Sequence, residues 1–171
     1  WKTTNKQYFE QWLQVISEFE MLNSFANLKY NNPEFTFPSI NNECLISFEN
    51  LAHPLLQAKT RISNSVDFNE PPFMILTGSN MSGKSTFLRS VGINMLLSGI
   101  GSPVCATQAN VHPMPIFVSM RLSDSLSDSE SYFFAEIKRL KQIMDALHQQ
   151  PTFVLLDEIL RGTNSDDKQN G

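Results

Sequence analysis

Nine consecutive residues, Gly78-Ser79-Asn80-Met81-Ser82-Gly83-Lys84-Ser85-Thr86, set glycines, hydroxyls and one lysine at the spacing of a phosphate-binding loop. The chemistry is triphosphate capture. Two glycines let the backbone curl so that successive N–H groups point at a β-phosphate, and the start of the following helix adds partial positive charge. Lys84 would reach the β- and γ-phosphates, and the Ser85 hydroxyl would ligate Mg²⁺. The bland alternative is a Gly/Ser-rich turn with an unrelated lysine.

A second pair, Asp157-Glu158, follows the apolar run Pro151-Thr152-Phe153-Val154-Leu155-Leu156. Such a run reads as a parallel strand buried on both faces, and doubly wound sheets bind their ligands at the carboxyl edge where that strand would emerge. There Asp157 would hold Mg²⁺ through the metal's water shell, and Glu158 would accept a proton from an attacking water or orient it. An acidic pair that merely caps a turn is the alternative.

The elements that must position these groups follow from periodicity. The apolar run Phe73-Met74-Ile75-Leu76-Thr77 predicts the strand that enters the loop. A helix from about Lys84 to Leu97 presents Phe87, Leu88, Val91 and Met95 on one face, with Gly99 as its stop. Residues 103 to 118, rich in β-branched residues and prolines, suggest short strands, and Ser131 to Leu147 reads as a helix with Phe133, Ile137, Leu140, Met144 and Leu147 on its core face. Upstream, Thr4 to Phe25 carries apolar residues at 8, 12, 15, 19 and 22, with Thr4 and Gln7 matching a capping box. Tyr30 to Glu34 is a turn, and Phe35 to Phe48 reads as extended pieces broken by Pro38 and Asn41-Asn42. The expected organisation is a helical segment over 1–35 and one α/β unit over 36–171, without repeats or low-complexity stretches.

Composition narrows the function classes. The chain has 171 residues, 41% of them hydrophobic, enough for one domain with a core. Its net charge of −4 leaves no broad cationic face for a nucleic-acid backbone. No apolar run approaches the 18 or so residues of a membrane span, and no signal peptide opens the chain, so a soluble cytoplasmic setting is expected. Cys44 and Cys105 lack metal-ligand spacing and read as reduced thiols. The polar segment Arg161 to Asp167 is too short for another element, and a phosphate-loop sheet ordinarily continues past its acidic strand. The expectation is therefore a domain truncated at its C-terminus.

Taken together, these motifs resemble the ATPase domain of MutS-type DNA mismatch repair proteins. That family's loop reads close to TGPNMxGKST, and Thr77 to Thr86 gives TGSNMSGKST, including an Asn80-Met81 pair that ordinary phosphate loops lack. Its acidic strand continues as DEIGRGT, and Asp157 to Thr163 gives DEILRGT. Ile100 to Ala106 is similar to the family's IGSFVPA stretch, and His53-Pro54-Leu55-Leu56 to its HP motif. The resemblance covers about residues 45 to 167, and the leading helix is similar to the end of the lever and core region that joins such an ATPase to a DNA clamp.

The resemblance implies a P-loop NTPase fold of the ABC type, a mainly parallel sheet flanked by helices. It further implies ATP and Mg²⁺ as cofactors, a homodimer that sandwiches nucleotide, and DNA contacts made by domains outside these residues. The trans-acting signature would be Asp128 to Phe133, with Ser131 at a helix start suited to a γ-phosphate, or serving only as an N-cap. Glu130, where the family has a basic residue or glycine, would repel that phosphate. Ser79 replaces proline and Leu160 replaces glycine without removing a chemical group, and the family's switch histidine has no counterpart. His53 is placed near the adenine, whereas His112 and His148 read as a loop residue and an exposed helix end. Arg61 either stacks on the base or is a solvated charge. Two other readings compete with the ATPase: a small-molecule kinase, disfavoured by scattered Arg and Lys residues, and a nucleotide-clamped interaction module without turnover.

Overall fold

A computed structural model describes residues 1, 5–79, 82–120 and 129–157, the side chains of 129–133 excepted. A 3-10 turn at Lys6–Tyr8 leads into helix α1 (Phe9–Asn31). This helix starts and ends later than the periodicity predicts. Its N-cap is Tyr8, which makes no side-chain cap bond, so the expected box with Gln7 does not open it; Thr4 lies outside the described residues. Its end is set by Pro33, which pushes Asn32 out of the helical region, and Lys29 Nζ donates to the Pro33 carbonyl at 2.8 Å. None of the α1 residues is buried, and Trp12, Val15, Phe19 and Leu22 of the expected stripe all face solvent. Near its end Leu28 packs partly buried against Phe35, Ala52 and Cys105, and Lys29 Nζ donates to the Phe35 carbonyl.

The strands form two sheets. The larger comprises β1 (Ser39–Ile40), β2 (Ile46–Leu51), β3 (Asn64–Asp67) and β4 (Gln108–Val111) in the order β1-β4-β2-β3, and the smaller pairs β5 (Ile116–Ser119) with β6 (Phe153–Leu156). The architecture is α/β with a mixed arrangement instead of the mainly parallel one expected. Strand β1 runs parallel to β4, and β5 to β6, but β2 is antiparallel to both β3 and β4. Connection type accounts for two of these pairings, β5 with β6 and β2 with β3. Strands β5 and β6 are joined through helix α3 (Ser129–Leu147), the crossover that parallel strands need, whereas β2 and β3 follow each other without one.

The run Phe73–Thr77, expected as a strand, pairs with nothing among the described residues, and Ile75 is 76% exposed. Strand β6 is buried on one face: Phe153 and Leu155 enter the core while Leu156 is exposed. In α3 the inward strip also differs from the expected one. Ile143 is buried, but Ile137, Met144 and Leu147 are exposed, because the helix docks along a narrow line that passes through Leu140 and Ile143.

Helix α2 (Lys84–Gly99) crosses the core. Its Val91 and Met95 pack in one cluster with Phe48 and Val111 of the four-stranded sheet and with Phe153 and Leu155 of β6. The helix runs through Gly99, the expected stop, and its C-cap is Ile100. With φ of +76°, Gly101 takes the left-handed position after the cap, and the amides of Gly101 and Ser102 donate to the carbonyls of Ser98 and Leu97 at 3.0 Å each. Among the described residues, no helix is long and apolar enough to cross a membrane.

Candidate nucleotide-binding site

The loop that precedes α2 holds its lysine inward. Lys84 Nζ donates to the carbonyls of Gly78 and Ser79 at 2.7 Å each and lies 3.4 Å from Ser82 Oγ. Gly83 is the N-cap at φ +89°, a conformation L side chains rarely adopt, and it offers no side chain to the free N–H groups of the first helical turn. A Cβ on Gly78 would lie 2.9 Å from Ser82 Oγ, so the loop closes only over glycine there. These are the features an anion at the helix start requires. Asn80 and Met81 lie outside the described residues.

At the next helical position, Ser85 Oγ donates to Asp157 Oδ2 at 2.6 Å. Strand β6 presents that carboxylate, and the Asp157 amide continues the parallel ladder by donating to the Ser119 carbonyl at 2.9 Å. A hydroxyl and a carboxylate in contact are hard oxygen donors, the set Mg²⁺ prefers when phosphates and water supply its other ligands. Among the described residues no group of three His, Cys, Asp or Glu side chains could hold a metal by itself. Glu158 lies outside the described residues, as does everything after it; Ser131 falls in the first turn of α3, and its side chain is not described.

Beside the loop opens a cleft of about 560 Å³, lined by Gly78, Ser82, Gly83, Lys84 and Thr86 on one side and by His53, Leu56, Thr60, Met74 and Phe87 further out. Its size is ordinary for a cofactor pocket. The structure therefore brings His53 to the same cleft as the phosphate loop. His53 Nδ1 accepts from the Leu55 amide at 3.3 Å, so the proton of the neutral ring is on Nε2.

Arg61 is elsewhere. It pairs with Glu34, and its guanidinium lies over the Phe35 ring 5.4 Å from the centroid, so a stacking role on a base is not its position here. A backbone hydrogen bond and the Arg61 partner hold the Glu34 carboxyl below its ordinary range. Arg61 lines a separate cavity with Ala52 and Cys105 and does not line the cleft beside the Lys84 loop. Of the remaining histidines, His112 Nδ1 bonds the Asn41 carbonyl at 2.8 Å at the sheet edge, away from the cleft.

One group near the site escaped the sequence reading. Asn94, 0% exposed, donates through Nδ2 to the carbonyls of Ala52 at 2.9 Å and Ser90 at 2.8 Å, and its Oδ1 accepts from the Cys105 amide at 2.7 Å. The signal was present: Ser90, Asn94 and Ser98 form a polar series at four-residue spacing inside an otherwise apolar helix.

Sequence comparison agrees with this geometry. The sequence model of MutS domain V matches residues 74–169, a span that contains both the phosphate loop and Asp157. The chain belongs to the MutS domain V family. It is similar to the proteins named DNA mismatch repair protein MutS of Halothermothrix orenii (31% identity over 159 residues), Clostridium perfringens (33% over 161) and Finegoldia magna (34% over 160). Each alignment covers 90% of this chain and 18% of the relative, so the chain spans under a fifth of the length of these MutS proteins. The alignments extend beyond domain V into the upstream strands, which includes the segment carrying His53 in the same homologous unit.

Proposed function

We propose that this chain is the Mg²⁺- and ATP-binding part of a MutS-like mismatch repair ATPase, with a P-loop NTPase fold of the ABC type. The supporting observation is the contact between Ser85 and Asp157, 2.6 Å apart at the mouth of a loop whose lysine already points inward. In the parent protein, ATP binding, dimerisation and hydrolysis would be coupled to DNA contacts made by other domains.

On this reading the groups act as follows. The amides of residues 82 to 86 surround the β-phosphate, and Lys84 exchanges the carbonyls of Gly78 and Ser79 for phosphate oxygens, gaining a charge-assisted bond for each neutral one it releases. Ser85 would hold Mg²⁺ through its hydroxyl oxygen, and Asp157 would accept hydrogen bonds from the metal's water shell. When bound, Mg²⁺ neutralises charge on the phosphates. The His53 side of the cleft takes the base. Glu158 is assigned the attacking water, by resemblance to the family. Ser131 is assigned the partner's γ-phosphate on the same ground.

Binding of a fluorescent ATP analogue with Mg²⁺ to the full chain and to Lys84→Ala tests the reading. Loss of binding in the variant is expected, since the lysine is the loop's only cation; unchanged affinity would remove the loop from its assigned role. The isolated chain should hydrolyse ATP negligibly, because a half-site lacks the groups that stabilise transition-state charge.

A further inference from the structure

Across the cleft from the phosphate loop, the wall that carries His53 and Leu56 belongs to a segment with no helix or strand of its own between β2 and β3. Something must fix its distance from α2, and the backbone alone does so weakly. The Ala52 amide donates to the Cys105 carbonyl at 2.9 Å, and Thr107 donates to the Glu49 carbonyl at 2.9 Å. These bonds tie the wall to the strand that leads into β4. Neither bond reaches α2, where the phosphate site begins and whose Val91 and Met95 share the core cluster with Leu51 and Val104.

One buried side chain adds a directional link from α2 to both. Asn94 lies ten residues along α2 from Lys84, fully enclosed, with its donor on the carbonyl of Ala52, the residue before His53, and its acceptor on the amide of Cys105. Its second Nδ2 proton is satisfied by Ser90 at 2.8 Å, within the same helix. Both of its donors and its oxygen are thus engaged, and through them three segments meet at one point. A carboxamide is suited to this. It presents a donor and an acceptor in one rigid plane, which neither an aliphatic side chain nor a hydroxyl reproduces.

We propose that Asn94 is a positioning residue for the base-side wall of the nucleotide cleft: through Ala52 it sets the separation between His53 and the phosphate loop. This rests on the nucleotide-site reading above and adds a residue that touches no ligand to the machinery that recognises one. The consequence is a division of labour. Variation at Asn94 should alter the part of the affinity that comes from the nucleoside and spare the part that comes from the phosphates, because the loop and Lys84 are held by contacts that do not involve Asn94.

The test compares ATP with inorganic tripolyphosphate, each with Mg²⁺, by calorimetry on the full chain. Asn94→Leu, similar in volume, should weaken ATP by about tenfold, as loss of a buried hydrogen-bond pair would, with tripolyphosphate affinity unchanged. Asn94→Asp keeps the acceptor for Cys105 and puts an oxygen against Ala52, so it should show the same selective loss. His53→Ala supplies the cycle: if Asn94 acts through His53, Asn94→Leu adds little further loss in that background. Equal weakening of both ligands, no weakening of either, or failure of both Asn94 variants to fold would each overturn the proposal, the last by making Asn94 a requirement of the core alone. Absence of binding by the parent chain to either ligand would instead overturn the nucleotide-site reading.

Discussion

The Ser85 hydroxyl and the Asp157 carboxylate, 72 positions apart in the chain, share a hydrogen bond of 2.6 Å. That contact places the start of α2 against the end of β6. The steric partner of this contact lies two helical turns on. Gly92 falls on the same face of α2 as Ser85, and a Cβ there would lie 2.8 Å from Leu155 Cδ1, on the residue whose side chain shares a strand face with Asp157. Helix and strand therefore meet at a polar point and an apolar one.

The polar point predicts a metal effect separable from nucleotide binding. Asp157→Asn and Ser85→Ala should leave affinity for ADP in EDTA within about twofold, while the increase in affinity on adding Mg²⁺ falls by about tenfold or more. Titrating Mg²⁺ against a fixed concentration of fluorescent nucleotide reads this out. An intact Mg²⁺ response in both variants would place the metal elsewhere.

The apolar point predicts a stability effect. Gly92→Leu forces α2 away from β6 and should cost about 1–3 kcal/mol, the range of overpacked cores. Thermal unfolding measures the loss. The same variant should weaken the Mg²⁺ response, since it moves Ser85 from Asp157.

Arg61 offers a prediction in the opposite direction. Because it pairs with Glu34 and covers Phe35, Arg61→Ala should leave ATP affinity unchanged. The pair has its own pH dependence. Glu34 is held below 4.5, so its folded form favours the carboxylate; whatever stability this contributes is present above that value and is lost as pH falls through the lowered one. Glu34 is largely solvated, so the effect on global unfolding should be small. Acid titration of wild type and Arg61→Ala, followed by thermal melting, should show curves that draw together as pH falls through the lowered Glu34 value.

The two cysteines should differ sharply toward a thiol reagent under native conditions. Cys44 is exposed, whereas Cys105 is buried, and burial pushes its thiol above the usual range. One equivalent of label is expected at neutral pH, on Cys44 by mass spectrometry of the digest, and a second only after denaturation.

How far the sequence foretold these relationships depends on the range over which each is decided. The glycine-bounded loop that holds Lys84, the carboxylate at the end of β6 and the helix that begins at Lys84 were legible because glycine, lysine and carboxylate requirements are local. The end of that helix was placed slightly early: Gly99 is still helical and Gly101 takes the left-handed position, which the hydrogen bonds of Gly101 and Ser102 to the last turn decide. Strand orientation was not legible, since the antiparallel pairing of β2 depends on its partners across the sheet. Nor was the inward face of α3, where the apolar series through Met144 and Leu147 is real but Ile143 is the residue that meets the core. Arg61 shows the same limit. Eight residues after His53, it lines a different cavity, and sequence spacing carries no information about which cavity a side chain of an irregular stretch enters.

Helix α1 bears on every one of these measurements. At 23 residues it is a rod about 34 Å long, with indole, phenyl and branched aliphatic groups turned outward along most of its length. In dilute buffer such a surface is adhesive toward itself and toward plastic and glass. Light scattering of this chain should therefore rise with concentration and fall when Phe19 and Leu22 are replaced by serine, and ligand titrations will be cleanest at the lowest protein concentration the signal allows.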